Sequence, residues 1–552
     1  MSQAIKTYPT ILEKFFEYEK QCPDLLFLSE PVAGLARTFT WKQAGDEVRR
    51  IVTALQSMSL PPQARIAILG KNSAHWILAD LAINIAGFVS VPLYPNISAA
   101  TLQTILVHSE ARVIFIGKLD NYEELLSGIP SSVCKISFPF YPKKDCLLWD
   151  ELVKEYEPLS STPMPDPYSL SCILYTSGTT GEPKGVMHTY FSHSYSLLTV
   201  FDALDNDFNA EIFFSYLPLC HVAERMVVEY AGIFCGGTIY FPESPELFAK
   251  NLANAQPTVF LAVPRIWEKF QEEILKKIPQ KKLNIILSVP LLSAVLKKIL
   301  KKKLGLSRAK HILTGASPIK ASLLEWFATL GIIIQEAYGM TENMALSHIN
   351  RKKTARFGTV GQSYHGVEVR LGKDREVQVK SPASMIGYYK EPELTAQSFE
   401  DGFLKTGDEG SIDNEGYLTI TGRIKDQFKT SKGKYIAPAL IEKLLLESLC
   451  FSQVCVVGSG LSHVLAICVL NKNPSVNERE PITRLLKEVL QNVNSRLEHY
   501  EKLARLVIVP EEWTVSNGLL TPTLKIKRSS IDKTFSGHYE EWLHANEDIL
   551  FV

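Results

Sequence analysis

Apolar and polar residues alternate along this chain with two periods. Behind Thr40, a residue suited to cap a helix, Val48, Ile51, Val52 and Leu55 recur at helical spacing. Ile66–Leu69 is an unbroken apolar run, the pattern of a strand buried on both faces. A largely apolar helix is expected from Asn72 or Ser73 to about Ala86. Val89–Leu93 and Val113–Ile116 repeat the strand signal, with a turn at Tyr94-Pro95-Asn96 and a helix near Leu102–His108 between them. This alternation predicts an α/β fold: mostly parallel, helix-flanked sheets joined by right-handed crossovers. After Gly422-Arg423-Ile424-Lys425-Asp426 the pattern restarts. Helices are expected near Ala439–Leu446 and Ile482–Leu497, and strands at Val454–Val457, Val464–Val469 and Leu506–Val509. The expected division is a large N-terminal domain over 1–422, a hinge over 423–426 and a small α+β domain over 427–552.

Composition narrows the class without naming a reaction. A chain of 552 residues exceeds one compact core, which agrees with two domains. Lys plus Arg and Asp plus Glu both number 59, so no global field recruits nucleic acid or membrane. The nine cysteines are scattered, with no Cys-x-x-Cys pair, which argues against a disulfide framework or zinc site and for a reducing compartment. Met1–Lys6 lacks the basic-then-apolar pattern of a signal peptide, so a cytoplasmic location is expected.

The chemical signal begins after the apolar run Cys172–Tyr175. Thr176, Ser177, Gly178, Thr179, Thr180, Gly181, Glu182, Pro183, Lys184 and Gly185 form a hydroxyl- and glycine-rich loop leaving a strand. Such a loop suits polyphosphate: glycines let N–H groups close around oxygens, hydroxyls donate, and a lysine neutralises charge. It is not a Walker A motif, because no Ser or Thr follows Lys184 and Pro183 disfavours a helix start there.

The order Thr-Ser-Gly-Thr-Thr-Gly-x-Pro-Lys-Gly resembles the phosphate loop of the adenylate-forming enzymes, the superfamily of acyl-CoA synthetases, firefly-type luciferases and peptide-synthetase adenylation domains. The likeness extends over nearly the whole chain. It implies an ATP- and Mg²⁺-dependent acid–thiol ligase. A carboxylate would attack the α-phosphorus in line, with cations and N–H groups already placed to meet the developing charge. Thr176 and Glu342 would serve the metal. Gly315, Ala316 and Ser317 resemble the adenine-contacting turn. In Tyr338-Gly339-Met340-Thr341-Glu342, Tyr338 would stack on adenine, Thr341 hold the α-phosphate and Glu342 ligate Mg²⁺. Asp408 and Arg423 match the ribose contacts, and Lys425 the hinge. Lys429 and Gly433 resemble the loop facing the thiol half-reaction.

Two strings point to long-chain acyl-CoA synthetases. His221-Val222-Ala223-Glu224-Arg225 is similar to their His-x-x-Glu-Arg segment, where the histidine lies beside the carboxylate and phosphate. Thr521-Pro522-Thr523-Leu524-Lys525 is similar to their Thr-Pro-Thr-x-Lys segment, which makes Lys525 the catalytic lysine and Lys527 its runner-up on the same strand face. Trp267, in Val263-Pro264-Arg265-Ile266-Trp267, would gate the acyl tunnel, or else pack in the core. The resemblance therefore implies a long-chain fatty acid, ATP and coenzyme A as substrates. Alternatives are an acyl-carrier-protein thiol as acceptor, a luciferase-type monooxygenase, or a non-catalytic nucleotide- or fatty-acid-binding membrane scaffold.

One segment departs from the neutral balance. Lysines flank the apolar run Leu283–Leu296, which is too short, and broken by Pro290, to span a hydrocarbon core of about 30 Å. Over 276–303 either peripheral membrane contact or a core helix with solvated lysines is expected.

Overall fold

The computed structural model describes residues 8–141, 143–162, 164–177, 183–205, 208–448, 450–474, 479–521 and 525–552. Among them the strands form six sheets. The largest runs in the order Gly387–Tyr388, Pro183–Thr189, Leu170–Ser177, Val89–Leu93, Arg65–Leu69, Val113–Ile116, Cys134–Ser137, Leu147–Leu148. Its neighbours are parallel from Leu170–Ser177 to Leu147–Leu148, and antiparallel at the other edge. Val113, Ile114, Phe115 and Ile116 are fully buried, as a sheet covered on both faces requires. Every residue of the helix Ala74–Ile85 is buried, which explains why its sequence is largely apolar, with His75, Asp80 and Asn84 as the polar exceptions. Its N-cap Ser73 accepts from the Trp76 N–H, and Thr40 forms a capping box with Gln43 at the start of Trp41–Ser57.

A second sheet runs Val259–Ala262, His311–Thr314, Gln335–Tyr338, His348–Ile349, Gln362–Ser363. Its first three strands are parallel. A third, wholly antiparallel sheet contains Glu368–Leu371, Glu376–Lys380, Phe399–Glu400, Phe403–Ile412 and Leu418–Arg423. The parallel expectation does not cover it: its strands are half-exposed and alternate, so they lack the continuous apolar runs that mark buried strands.

Beyond Arg423, a 3-10 turn over Ile424–Asp426 leads into the helix Pro438–Leu446 and a four-stranded sheet. Strands Phe451–Val457, Val464–Leu470 and Leu503–Ile508 and helix Arg479–Ser495 lie where periodicity predicts them. The closing strand Ile549–Phe551 pairs with Leu503–Ile508. No helix among the described residues is long and apolar enough to cross a membrane. Instead of one helix, Leu283–Leu296 falls on two, Gln280–Ser288 and Pro290–Lys303, because Pro290 starts a new first turn.

Candidate active site

The strands flanking the glycine-rich segment are antiparallel: Leu170–Ser177 pairs with Pro183–Thr189, and Thr176 stands opposite Lys184. Gly178, Thr179, Thr180 and Gly181 lie outside the described residues, and Ser177 is described only by its place in the strand. Alternation along Pro183–Thr189 puts Lys184, Val186 and His188 on one face.

Gly339 is where the next loop folds back. A Cβ there would come within 2.4 Å of the Ala345 carbonyl carbon, so only glycine permits the approach. The Ala345 N–H donates to the Met340 carbonyl at 2.9 Å. Met344 and Ala345 sit at φ +54° and +58°, an uncommon region for non-glycine residues and a frequent feature of functional loops. Thr341–Asn343 forms a 3-10 turn. His188 Nε2 lies 2.7 Å from the Thr341 carbonyl oxygen. That oxygen only accepts, so the proton is on Nε2, and burial lowers the imidazole pKa to about 4. His188 is therefore a neutral clamp at pH 7.

Glu342 is held twice. Its main-chain oxygen accepts from the Met385 N–H at 2.7 Å, and its Oε1 accepts from the Tyr388 hydroxyl at 2.8 Å. Tyr388 stands opposite Val186 at the sheet edge, and Lys184 Nζ lies 5.8 Å from its ring centroid. The strand Pro183–Thr189, the Thr341–Glu342 loop and the Gly387–Tyr388 strand are thus one fastened unit.

The neighbouring group is built on the antiparallel sheet, where Asp408 and Arg423 are direct cross-strand partners. Arg423 Nε is 2.9 Å from Asp408 Oδ1, and the Tyr338 hydroxyl donates to Oδ2 at 2.7 Å. The Asp408 carboxylate raises the Arg423 pKa further, against the desolvation that lowers it. Asp408 is buried while Arg423 stays half-exposed, so the pair presents polar atoms from a rigid floor.

His221 caps the short helix Val222–Glu224, its Nδ1 accepting from the Ala223 N–H at 3.2 Å. A neutral imidazole carries one proton, so an accepting Nδ1 leaves that proton on Nε2. Burial, followed by the charge of Lys525, lowers the His221 pKa to about 4. Lys525 is solvent-accessible yet crowded enough that desolvation lowers its own pKa; Arg423 lowers it too, while Asp408 and Glu342 oppose the shift. The charge of Lys525, from the C-terminal region, therefore bears on His221, while Arg423, Asp408 and Glu342 bear on Lys525.

The two-lysine strand face does not form. Leu520 and Ile526 make only an isolated bridge, and Lys527 instead caps the helix Arg528–Phe535. The Lys525 N–H donates to Thr521 Oγ1 at 3.0 Å.

Gly315, Ala316 and Ser317 follow the strand His311–Thr314, with Ala316 at φ +68°. A Cβ on Gly315 would meet the Ala337 carbonyl at 2.9 Å, so this glycine serves the packing of the turn beside Tyr338. Of the two places expected for Trp267, the structure shows the core. The side chain is fully buried, its Nε1–H donates to the Ala262 carbonyl at 3.2 Å, and the edges of Phe260, Phe270 and Phe327 surround it. An indole so held packs the core and has no room to swing. Lys429 and Gly433 belong to a separate hairpin, where Lys429 Nζ faces the Tyr435 ring at 5.5 Å and the Gly433 N–H donates to the Thr430 carbonyl. Lys425 lies exposed in the 3-10 turn after Arg423.

The residues missed by sequence reasoning are His188, Tyr388 and Asp80. Period two along Pro183–Thr189 could have revealed His188, which shares a face with Lys184. Tyr388 has no local signal, because Glu342 is distant in sequence. Asp80 is fixed by Arg225: fully buried, Arg225 pairs through Nη2 with Asp80 Oδ2 at 2.8 Å and through Nε with Glu229 at 3.7 Å, inside a π-helix over Arg225–Tyr230.

The profile of the AMP-binding enzyme family matches residues 15–389, and that of the AMP-binding enzyme C-terminal domain matches 425–546. The chain belongs to the AMP-binding enzymes. This AMP-binding enzyme is 28% identical to a long-chain-fatty-acid–CoA ligase of Mycobacterium bovis, over 95% of each chain. It is 27% identical to long chain acyl-CoA synthetase 4 of Arabidopsis thaliana, over 91% of this chain and 86% of the relative. Among solved structures, the adenylation domain of a Mycobacterium chelonae carboxylate reductase superposes with a TM-score of 0.81 at 21% identity, covering 97% of this chain and 91% of that one. An anthranilate–CoA ligase bound to anthranoyl-AMP gives 0.77 at 18% identity, covering 96% and 97%. The α/β architecture with a separate C-terminal domain is therefore that of the adenylating enzymes.

Proposed function

We propose that this protein is an acid–thiol ligase that converts a long-chain fatty acid and ATP to an acyl-adenylate, releases pyrophosphate, and passes the acyl group to the thiol of coenzyme A. The observation that supports the reading is that the Asp408–Arg423 pair braced by Tyr338, and Glu342 held by Tyr388, share an electrostatic neighbourhood with His221 and with Lys525 of the C-terminal region.

Asp408 accepts from the ribose hydroxyls while Arg423 donates to them, on the floor that Tyr338 braces. Gly315, Ala316 and Ser317 line the adenine side, with the Tyr338 ring beside them. Thr176, Ser177, Gly178, Thr179, Thr180, Gly181 and Lys184 hold the phosphates, and Gly339, Met340 and Thr341 form the turn facing the α-phosphate. The His221 Nε2–H donates to a carboxylate or phosphate oxygen and carries no charge at pH 7. Lys525 bridges the carboxylate and the α-phosphate, where negative charge grows in the transition state.

A magnesium ion suits this donor set. Among the described residues no group of three or more His, Cys, Asp or Glu side chains makes a protein-only cage. Mg²⁺ in nucleotide sites takes one or two carboxylates and completes its shell with phosphate and water, which Glu342 with the Thr176 hydroxyl matches. When bound it neutralises the leaving pyrophosphate.

After adenylation the C-terminal domain rotates about Lys425, withdrawing Lys525 and bringing Lys429 and Gly433 to the thiol. Small rotations of this kind are absorbed by a few residues at an element's end, as the 3-10 turn offers. The long-chain assignment rests on the names of the relatives and on the likeness of His221–Arg225 and Thr521–Lys525 to the long-chain segments. The test is pyrophosphate release across saturated fatty acids of increasing length, with coenzyme A and a phosphopantetheinyl carrier protein compared as acceptors. Release that is highest for short aromatic acids, or thioester formed only on the carrier, would overturn the reading.

A further inference from the structure

The helical pair Gln280–Ser288 and Pro290–Lys303 leaves a set of apolar side chains without protein cover. Ile285 is 68% exposed, Leu291 76%, Leu292 53% and Val295 53%, and Val289 and Ile299 are exposed as well. On the second helix Leu291, Val295 and Ile299 follow one another at four-residue steps, so they form a single stripe. The opposite faces are anchored: Leu283 and Leu300 are buried in the same cluster as Trp267 and Phe327. The exposed stripe is therefore held on a fixed platform and is not the result of fraying.

Charge is distributed just as unevenly. The whole chain is formally neutral, yet 280–303 contains seven lysines and no acidic residue. Lys281 and Lys282 open the first helix, and Lys297, Lys298, Lys301, Lys302 and Lys303 close the second. The apolar positions centre on the junction at Val289, and the lysines lie at the two ends remote from it. The crowding of cations is enough that, after desolvation, Lys352 and Lys297 further lower the Lys301 pKa.

We propose that this helical pair docks the protein on an anionic lipid bilayer, with Ile285, Val289, Leu291, Leu292 and Val295 entering the interface and the lysines meeting the phosphate headgroups. An apolar wedge and a basic collar are the two signals that together give stable peripheral binding, and neither helix can span the bilayer. A second copy of the chain is a poorer occupant, since facing copies would oppose seven lysines with seven. The docking does not depend on which acid the enzyme activates.

Flotation with vesicles of phosphatidylcholine alone, and of phosphatidylcholine with about one-third phosphatidylglycerol, tests this on the full chain. The expected result is binding to the anionic vesicles only, weakened by salt. Lys281→Gln, Lys282→Gln, Lys298→Gln and Lys302→Gln together should lower the partition coefficient on the order of a thousandfold. Leu291→Ser with Leu292→Ser should lower it by about tenfold or more. Because all six positions are exposed, both variants should keep the wild-type circular dichroism and melting temperature, and pyrophosphate release from a soluble acid should not change. Equal flotation with neutral vesicles, no flotation, or variants that float like wild type would each overturn the proposal. So would light scattering that shows a dimer dissolved by Leu291→Ser.

Discussion

Replacing Lys525 with alanine removes a cation of the C-terminal domain that lowers the His221 pKa and is itself influenced by Arg423, Asp408 and Glu342. If Lys525 meets the charge that grows on the α-phosphate, its loss resembles the loss of an oxyanion donor, about 3–4 kcal/mol, or on the order of 10²–10³-fold in rate. The loss should fall on one half-reaction. Pyrophosphate release would drop by that factor, while thioester formation from a supplied acyl-adenylate and coenzyme A would stay within about threefold, since Lys525 is withdrawn in that step. The pH dependence has a fixed sign. Burial, then Arg423, holds the Lys525 pKa below the usual lysine range, so its charge is lost as pH rises through that lowered value. The adenylation rate should decline on the alkaline side earlier than an ordinary lysine would dictate, and that limb should vanish in the alanine variant. In the same variant the His221 imidazole, now held near 4 partly by the lysine, should titrate at higher pH by NMR. Equal loss in both half-reactions, or an unmoved His221, would refute the placement.

Other outcomes follow from the same geometry. Asp408→Asn leaves Arg423 and the Tyr338 hydroxyl facing a neutral group, and should weaken ATP or AMP binding by about 1.5–3 kcal/mol in calorimetry with little change in melting temperature. Arg225→Met strands Asp80 and Glu229 in the core and should cost about 3–5 kcal/mol in urea unfolding, while Asp80→Leu with Arg225→Met should cost less than the two single changes added. His188, His221 and His348 are neutral by burial, with pKa values of about 4, 4 and 3. Unfolded histidines protonate near 6.5, so stability present above that pH should be lost as pH falls toward 4. The loss is about 3 kcal/mol for His188 alone, and His188→Leu should flatten that part of the profile. Trp267→Ala should destabilise by about 3–5 kcal/mol and leave chain-length preference unchanged; a stable variant with altered preference would restore the gate.

Much of the architecture and of the candidate chemistry was legible in the sequence, for reasons that can be named. Strands such as Val113–Ile116 are buried on both faces, so their character is written into every residue. Helices such as Trp41–Ser57 carry their own caps in Thr40 and Gln43. The nucleotide motifs were readable because each is a contiguous string whose backbone geometry, such as the fold-back at Gly339, demands particular residues at particular offsets. The antiparallel sheet over 368–423 was not readable, since half-exposed strands leave only weak alternation.

What the chain determined by itself was therefore local: which stretches are strand or helix, where the turns fall, and which residues carry phosphate- and carboxylate-handling groups. Tertiary structure alone decided which of those groups meet. It put Tyr388 on Glu342, His188 on the Thr341 carbonyl and Arg423 and Tyr338 on Asp408, and it enclosed Trp267 in the core. The physical reason is that pairings between distant residues depend on sheet order and loop closure, which leave no periodic trace in either partner. Burial, and with it the lowered pKa of His188 and His221, exists only once those pairings have formed.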